Sequence, residues 1–150
     1  MICAFTVPGE PVPCARARVF ARRGKIVAVT PEKTRGYEHI VGLVARTKRP
    51  RGWRLDWASY SIKVAVYRAV RRGDGDNYQK AVADGLTGVL WANDSAAHAW
   101  TVDIFDDLAK PRIEVTIEML GDQDIVTARK ARAKQLREAK GKRTKAKRVR

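Results

Sequence analysis

Along residues 59–70 the apolar positions fall every second residue. Ile62, Val64 and Val66 point one way, and Ser61, Lys63, Ala65 and Tyr67 the other. A period of two predicts a half-buried strand. ICAFTVPG gives a shorter strand that stops at Pro8-Gly9, and KIVAVT (25–30) another after the turn at Arg23-Gly24. AWTVDIF (99–105) and PRIEVTIEML (111–120) read as a final pair, with Ile113, Val115 and Ile117 on one face. Two stretches change period. Tyr37, Ile40, Val41 and Val44 make a helical stripe over 34–46, with Thr30 as N-cap and Pro31 at the first helical position. Tyr78, Ala81, Val82 and Leu86 make a second helix from Asn77, capped by Asp76 or Asn77 and stopped near Gly88. The prolines of PVPCARARVFARRGK block a helix, so that segment is a basic, extended or looped arm.

The order is therefore β, β, α, β, α, β, β, then a tail. It predicts an α/β (α+β) fold: one small domain over 1–121, with a mixed sheet flanked by helices. A basic C-terminal tail, helical or disordered, follows over 122–150.

Charge adds the first functional information. The chain has 150 residues, 31 Lys+Arg against 16 Asp+Glu, and a net charge of +15. Residues 128–150 hold twelve of the basic residues and one acid, Glu138, which leaves 19 basic and 15 acidic residues in 1–127. Such an excess favours a polyanion. The tail has only Leu136 and Val149 as sizeable apolar residues, too few for the apolar face of a membrane-lying helix. No run approaches the roughly 20 apolar residues of a membrane span, and the start lacks the pattern of a signal peptide. Nucleic acid is the expected partner, with no membrane. Cys3 and Cys14 complete no zinc spacing and read as free thiols in a reducing, cytoplasmic setting. His39 and His98 are isolated and carry no site.

Against this basic background, GDGDNYQK (73–80) concentrates acid. If the strand delivers Asp74 and Asp76 in extended geometry, both side chains lie on one side. Paired carboxylates then need a proton or a cation, and oxygen ligands of this kind suit Mg²⁺, with Mn²⁺ as the alternative. Lys80 follows four residues after Asp76 and would project from the first helical turn towards a metal-held phosphate. Asp84 extends the stripe, and Asp94, ending VLWANDS, supplies a third acid. An EF-hand fails because its sixth and twelfth positions from Asp74 are Gln79 and Gly85. An Asp/Gly-rich capping turn is the competing structural explanation. Three acids, a lysine and flanking arginines describe metal-assisted hydrolysis of a phosphodiester.

RRGDGDNYQKAVADGLTGVLWANDS as a whole resembles the RusA family of crossover (Holliday) junction endodeoxyribonucleases. The family shows D-x-D-N-x-x-K, an acid within the helix, then a W-x-D-D turn. Here these positions are Asp74, Asp76, Asn77, Lys80, Asp84, Trp91 and Asp94. VPGEPVPCARAR, with Arg16 and Arg18, resembles the family's opening, and TPEKTRGYE, with Lys33, the approach to its first helix. The resemblance spans about residues 4–119. It implies a metal-dependent homodimer that resolves four-way junctions by two symmetric nicks. It also implies Asp74, Asp76 and Asp94 as metal ligands, Lys80 as the catalytic lysine, and Arg71 or Arg72 as the basic position before the acids. Arg16, Arg18 and Lys33 join that pair as expected DNA contacts. The chain departs from the pattern at Asn93, where the family has an acid, at Cys14, where it has a lysine, and at Gly73, which separates the arginine pair from Asp74.

Three functions fit: a junction or branched-DNA resolvase in recombination and repair, a non-catalytic DNA-binding protein, or a related nuclease cutting flaps or forks. A bacterial or phage cytoplasm suits any of them.

Overall fold

The computed structural model describes residues 1–121 apart from 16–17, 23, 57–58 and 94–96. Arg16, Asp94 and the tail of 122–150 lie outside the described residues. The elements run β1 (Ile2–Pro8), β2 (Arg18–Arg22), β3 (Lys25–Val29), α1 (Glu32–Lys48), β4 (Tyr60–Arg68), α2 (Gly75–Leu86), β5 (Ala97–Asp106) and β6 (Arg112–Met119). Four of the strands form a mixed sheet in the order β1-β6-β4-β5, antiparallel except for the β4/β5 pair. The fold is α+β, as the pattern predicts. Met1–Met119 makes one compact unit.

The alternation works as expected. Ile62, Val64, Val66, Ile113, Val115 and Ile117 are all buried, joined by Cys3, Phe5 and Val7 from β1. Tyr37, Val41 and Ala45 of α1 and Tyr78, Ala81, Val82 and Leu86 of α2 belong to the same core cluster. The two helices meet at a glycine pair. A Cβ on Gly42 would lie 2.7 Å from the Gly85 carbonyl oxygen, and one on Gly85 2.6 Å from that of Glu38. Neither backbone can yield, so only glycine permits this approach.

Several expectations are corrected. The arm expected to be extended or looped contains a strand not assigned from the pattern, β2, which pairs with β3 as a separate two-stranded sheet. Pro31 is the N-cap of α1 rather than its first residue, and no side chain caps the helix. Ile40, placed in the apolar stripe, is 47% exposed, because α1 turns that edge away from the sheet. The α2 helix begins two residues earlier than expected and is capped by Asp74.

After α2 the chain turns at 87–91. Arg49 Nη1 donates to the Val89 carbonyl at 2.9 Å, and Trp53 Nε1 to that of Leu90 at 2.8 Å. Trp91, fully buried, lies 5.7 Å from the Tyr60 ring and 6.2 Å from Trp100, centroid to centroid. The turn that leads towards Asp94 is thus pinned by aromatic packing. Among the described residues no helix is long and apolar enough to cross a membrane.

Candidate active site

The acidic motif sits where β4 passes into α2, at the C-terminal end of the parallel β4/β5 pair. Open α/β sheets characteristically bind ligands at such an end. The N-terminal segment laces this junction. The Glu10 carboxylate accepts the Ala69 and Val70 amides at 3.0 and 3.1 Å. Cys14 N–H donates to the Asn77 carbonyl at 2.9 Å, and Ala15 N–H to Thr34 Oγ1 at 3.4 Å. Gly73 has φ +71°, and a Cβ there would fall 2.7 Å from Pro13. A glycine is required at that point both by conformation and by space.

Asp74 is extended, with φ −109° and ψ 177°, and its Oδ1 accepts the Asn77 amide at 3.2 Å. That bond satisfies one of the orphan N–H groups of the helix. Asp76 lies in the first turn of α2, and both acids are exposed. The alternation argument for placing the two carboxylates on one side therefore does not apply, since Asp76 is already helical. What they share is the first turn, whose unpaired N–H groups favour negative charge. Asp74 keeps Oδ2 outside its capping bond. With Asp76 it offers hard oxygen donors to solvent, a chemistry that fits Mg²⁺ or Mn²⁺.

Lys80 is in the second turn, not the first. Its Nζ lies 3.0 Å from Asp84 Oδ2, so it is engaged along the helix rather than towards Asp76. The Asp84 hydrogen bond, then its charge, hold the Lys80 ammonium above its ordinary pKa against some desolvation. Across from this pair stand Cys14 and Glu38, whose ligand atoms lie with Asp84 within 4.8 Å of one another. Burial first, then the Asp84 charge, push the Glu38 carboxyl up. Burial likewise pushes the Cys14 thiol up, partly offset by Lys80. Neither Asp74 nor Asp76 belongs to this group. Tyr37 Oη is buried with no hydrogen-bond partner among the described residues. Burial, then Tyr78 and Glu10, push its hydroxyl up.

The arginines are organised by a residue that no sequence pattern singles out. Asp106, at the end of β5, receives Arg71 Nη2 at 2.6 Å and Arg68 Nε at 3.4 Å. Arg68 Nη1 also donates to the Gly73 carbonyl at 3.0 Å, and Tyr78 Oη to that of Arg72. Those bonds hold the 68–74 turn in place. Register was the missing information: Arg68 and Asp106 are paired across the parallel β4/β5 ladder. Arg72 and Lys33 are exposed, the latter in the first turn of α1, and Arg18 opens β2. Arg18 and Lys33 thus stand on elements other than the one that carries the acids. Asn93 is exposed just beyond the buried Trp91.

The family model for the endodeoxyribonuclease RusA matches residues 8–118. The chain belongs to the RusA family. The match takes in the lacing segment, both helices and the acidic junction. RusA membership places the protein among endodeoxyribonucleases. A curated relative, the uncharacterized protein YqaN of Bacillus subtilis (strain 168), is 31% identical in a 133-residue alignment. That alignment takes in 75% of this chain and 93% of the relative.

Proposed function

We propose that this RusA-family protein is a metal-dependent endonuclease that resolves Holliday junctions or other branched DNA by paired symmetric nicks, acting as a homodimer in the cytoplasm. The observation that carries the reading is the exposed Asp74–Asp76 turn at the C-terminal end of β4 and β5. It is a patch of negative charge bordered by Arg68, Arg71, Arg72 and Lys80. Asp74 and Asp76, with Asp94, would hold a divalent cation there. The cation supplies neutralisation of phosphate oxygens and a lowered pKa for the attacking water.

The chain's own residues do the rest. Arg71 and Arg72 receive the phosphate backbone. Lys80 donates to the oxygen on which charge develops once it leaves Asp84. Arg16, Arg18 and Lys33 extend the contact away from the cut. The domain of 1–121 carries the chemistry and the tail of 122–150 adds affinity without base readout.

Cleavage of a synthetic four-way junction with Mg²⁺ or Mn²⁺ tests the reading. Paired nicks should appear, and should vanish with chelator and in Asp76→Asn, while that variant still binds the junction. Metal-independent cutting, or full activity in Asp76→Asn, overturns it. Intact function in Asp74→Asn and Asp76→Asn would instead identify a non-catalytic DNA-binding protein, and preferential cutting of flaps or forks a different substrate.

A further inference from the structure

The backbone contact between α1 and α2 has a chemical result. A Cβ on Gly85 would lie 2.6 Å from the Glu38 carbonyl oxygen and 3.2 Å from the Glu38 Cα. Asp84 directly precedes that glycine, so the close approach sets the half-buried Glu38 side chain of α1 beside Asp84 of α2. One carboxylate oxygen from each and Cys14 Sγ, from the N-terminal segment, lie within 4.8 Å of one another.

Two carboxylates this close need a proton or a cation. The chain supplies the cation itself, since Lys80 Nζ stands 3.0 Å from Asp84 Oδ2. By itself that pair would hold the lysine loosely. It is exposed, it spans one helical turn, and its lysine lies N-terminal to its acid, the weaker of the two orders. A second carboxylate from another helix turns the pair into a network, the arrangement in which exposed charges do fix a geometry. The Asp84 hydrogen bond first, against some desolvation, and then the charges of Asp84, Cys14 and Glu38 keep the ammonium above its ordinary pKa. Arg35, His39 and Arg46 line the groove that Glu38 and Asp84 share. Burial and then Asp84 push the Glu38 carboxyl up, while Lys80 and then Arg35 draw it down.

We propose that Glu38 is a positioning residue for cleavage: from α1 it completes, with Asp84, a two-carboxylate cradle that keeps Lys80 charged and held beside the acidic turn. The role rests on the nuclease reading, in which Lys80 meets the developing charge. Glu38 touches no reacting atom and acts through Lys80 alone.

NMR titration of the full-length protein with isotope-labelled lysine tests the cradle, the Lys80 signal being the one lost in Lys80→Ala. Glu38→Gln should move the Lys80 midpoint to lower pH, and Glu38→Asp, which keeps the charge, should move it less. In junction cleavage, Glu38→Gln should lower kcat by about tenfold with KM unchanged, a size usual for coupling within one network. Its alkaline limb should move the same way as the midpoint. In a Lys80→Ala background Glu38→Gln should cost nothing further, because nothing is left for it to act through. Glu32→Gln, at an acid in the first turn of α1, should match the wild type, and circular dichroism should show every variant folded. An unmoved midpoint in Glu38→Gln overturns the proposal. So does Glu38→Asp shifting the midpoint as far as Glu38→Gln, an undiminished loss in the Lys80→Ala background, or Glu32→Gln acting as strongly. A midpoint that moves as expected in a protein that cuts no junction leaves the cradle standing and removes the nuclease reading instead.

Discussion

Lys80 and Asp84 form an ion pair one helical turn apart on α2, with Nζ 3.0 Å from Oδ2. Both groups are substantially exposed, so the pair adds little stability. Its consequence is positional: it parks the ammonium beside the acidic junction and keeps it protonated.

Lys80→Ala should reduce junction cleavage by about 100-fold, the scale of losing one donor to developing charge, with the fold unchanged. Asp84→Asn should reduce it much less, and the alkaline limb of the pH–rate profile should move to lower pH. The sign follows because Asp84 raises the Lys80 pKa, so removing it lets the lysine deprotonate earlier. An unmoved alkaline limb in Asp84→Asn would show that Lys80 does not carry the step.

Asp74 carries two roles that substitution can separate. Asparagine caps helices as well as aspartate, and alanine does not. Asp74→Asn should therefore keep the urea midpoint and lose cleavage. Asp74→Ala should lose cleavage and about 1 kcal/mol of stability as well. Equal midpoints for the two variants would contradict the cap.

The glycine contact between α1 and α2 sets a packing limit. Gly85→Ala puts a methyl 2.6 Å from the Glu38 carbonyl oxygen and forces the helices apart. A loss of about 1–3 kcal/mol is expected, as for other overpacked cores, readable as a lower urea midpoint. Gly36→Ala, with nothing within 4 Å of the added Cβ, is the matched control and should be neutral or slightly stabilising.

Asp106 engages Arg71 and Arg68 in the free protein, so a phosphate backbone must compete with it for them. Its carboxyl lies below the ordinary carboxylate range, because Arg71 and then Arg68 donate to it. A depressed carboxylate stabilises the fold above the unfolded pKa, and that contribution is lost as pH falls through the folded value. The group is exposed, so salt should weaken the effect. Asp106→Asn should flatten the acid limb of the pH–stability profile at low salt. It should also tighten DNA binding and steepen its salt dependence by about one counterion. Unchanged salt dependence would show that Arg71 does not reach the backbone.

Deleting residues 128–150 should weaken junction binding at low salt and make its salt dependence shallower, since twelve basic residues are removed. Affinity equal to that of the full chain at low salt would refute a DNA-binding tail.

Much of the fold was legible because the signals were local and consistent. The β4 and β6 alternations and the α2 stripe each bury the residues the pattern selects. Ile40 was misplaced because a four-residue stripe does not say how wide the buried arc is, and packing against β1 and α2 decided that. The β2 strand was hidden by basic residues that occupy alternate positions of one face. The acids were found by their crowding, but their geometry was misjudged. Asp74 caps the helix whose first turn already holds Asp76, and this replaces the strand alternation assumed for them.

The sequence by itself determined every main element except β2, the family and the residues able to bind a cation or a phosphate, because periodicity and residue chemistry are local properties. Tertiary structure decided the partners. Asp106 reaches Arg68 and Arg71, and Glu10 reaches the end of β4, only through a parallel register and a chain crossing that bring residues 35 to 60 positions apart together. Contacts of that separation depend on how strands and helices stack, and no local pattern encodes them.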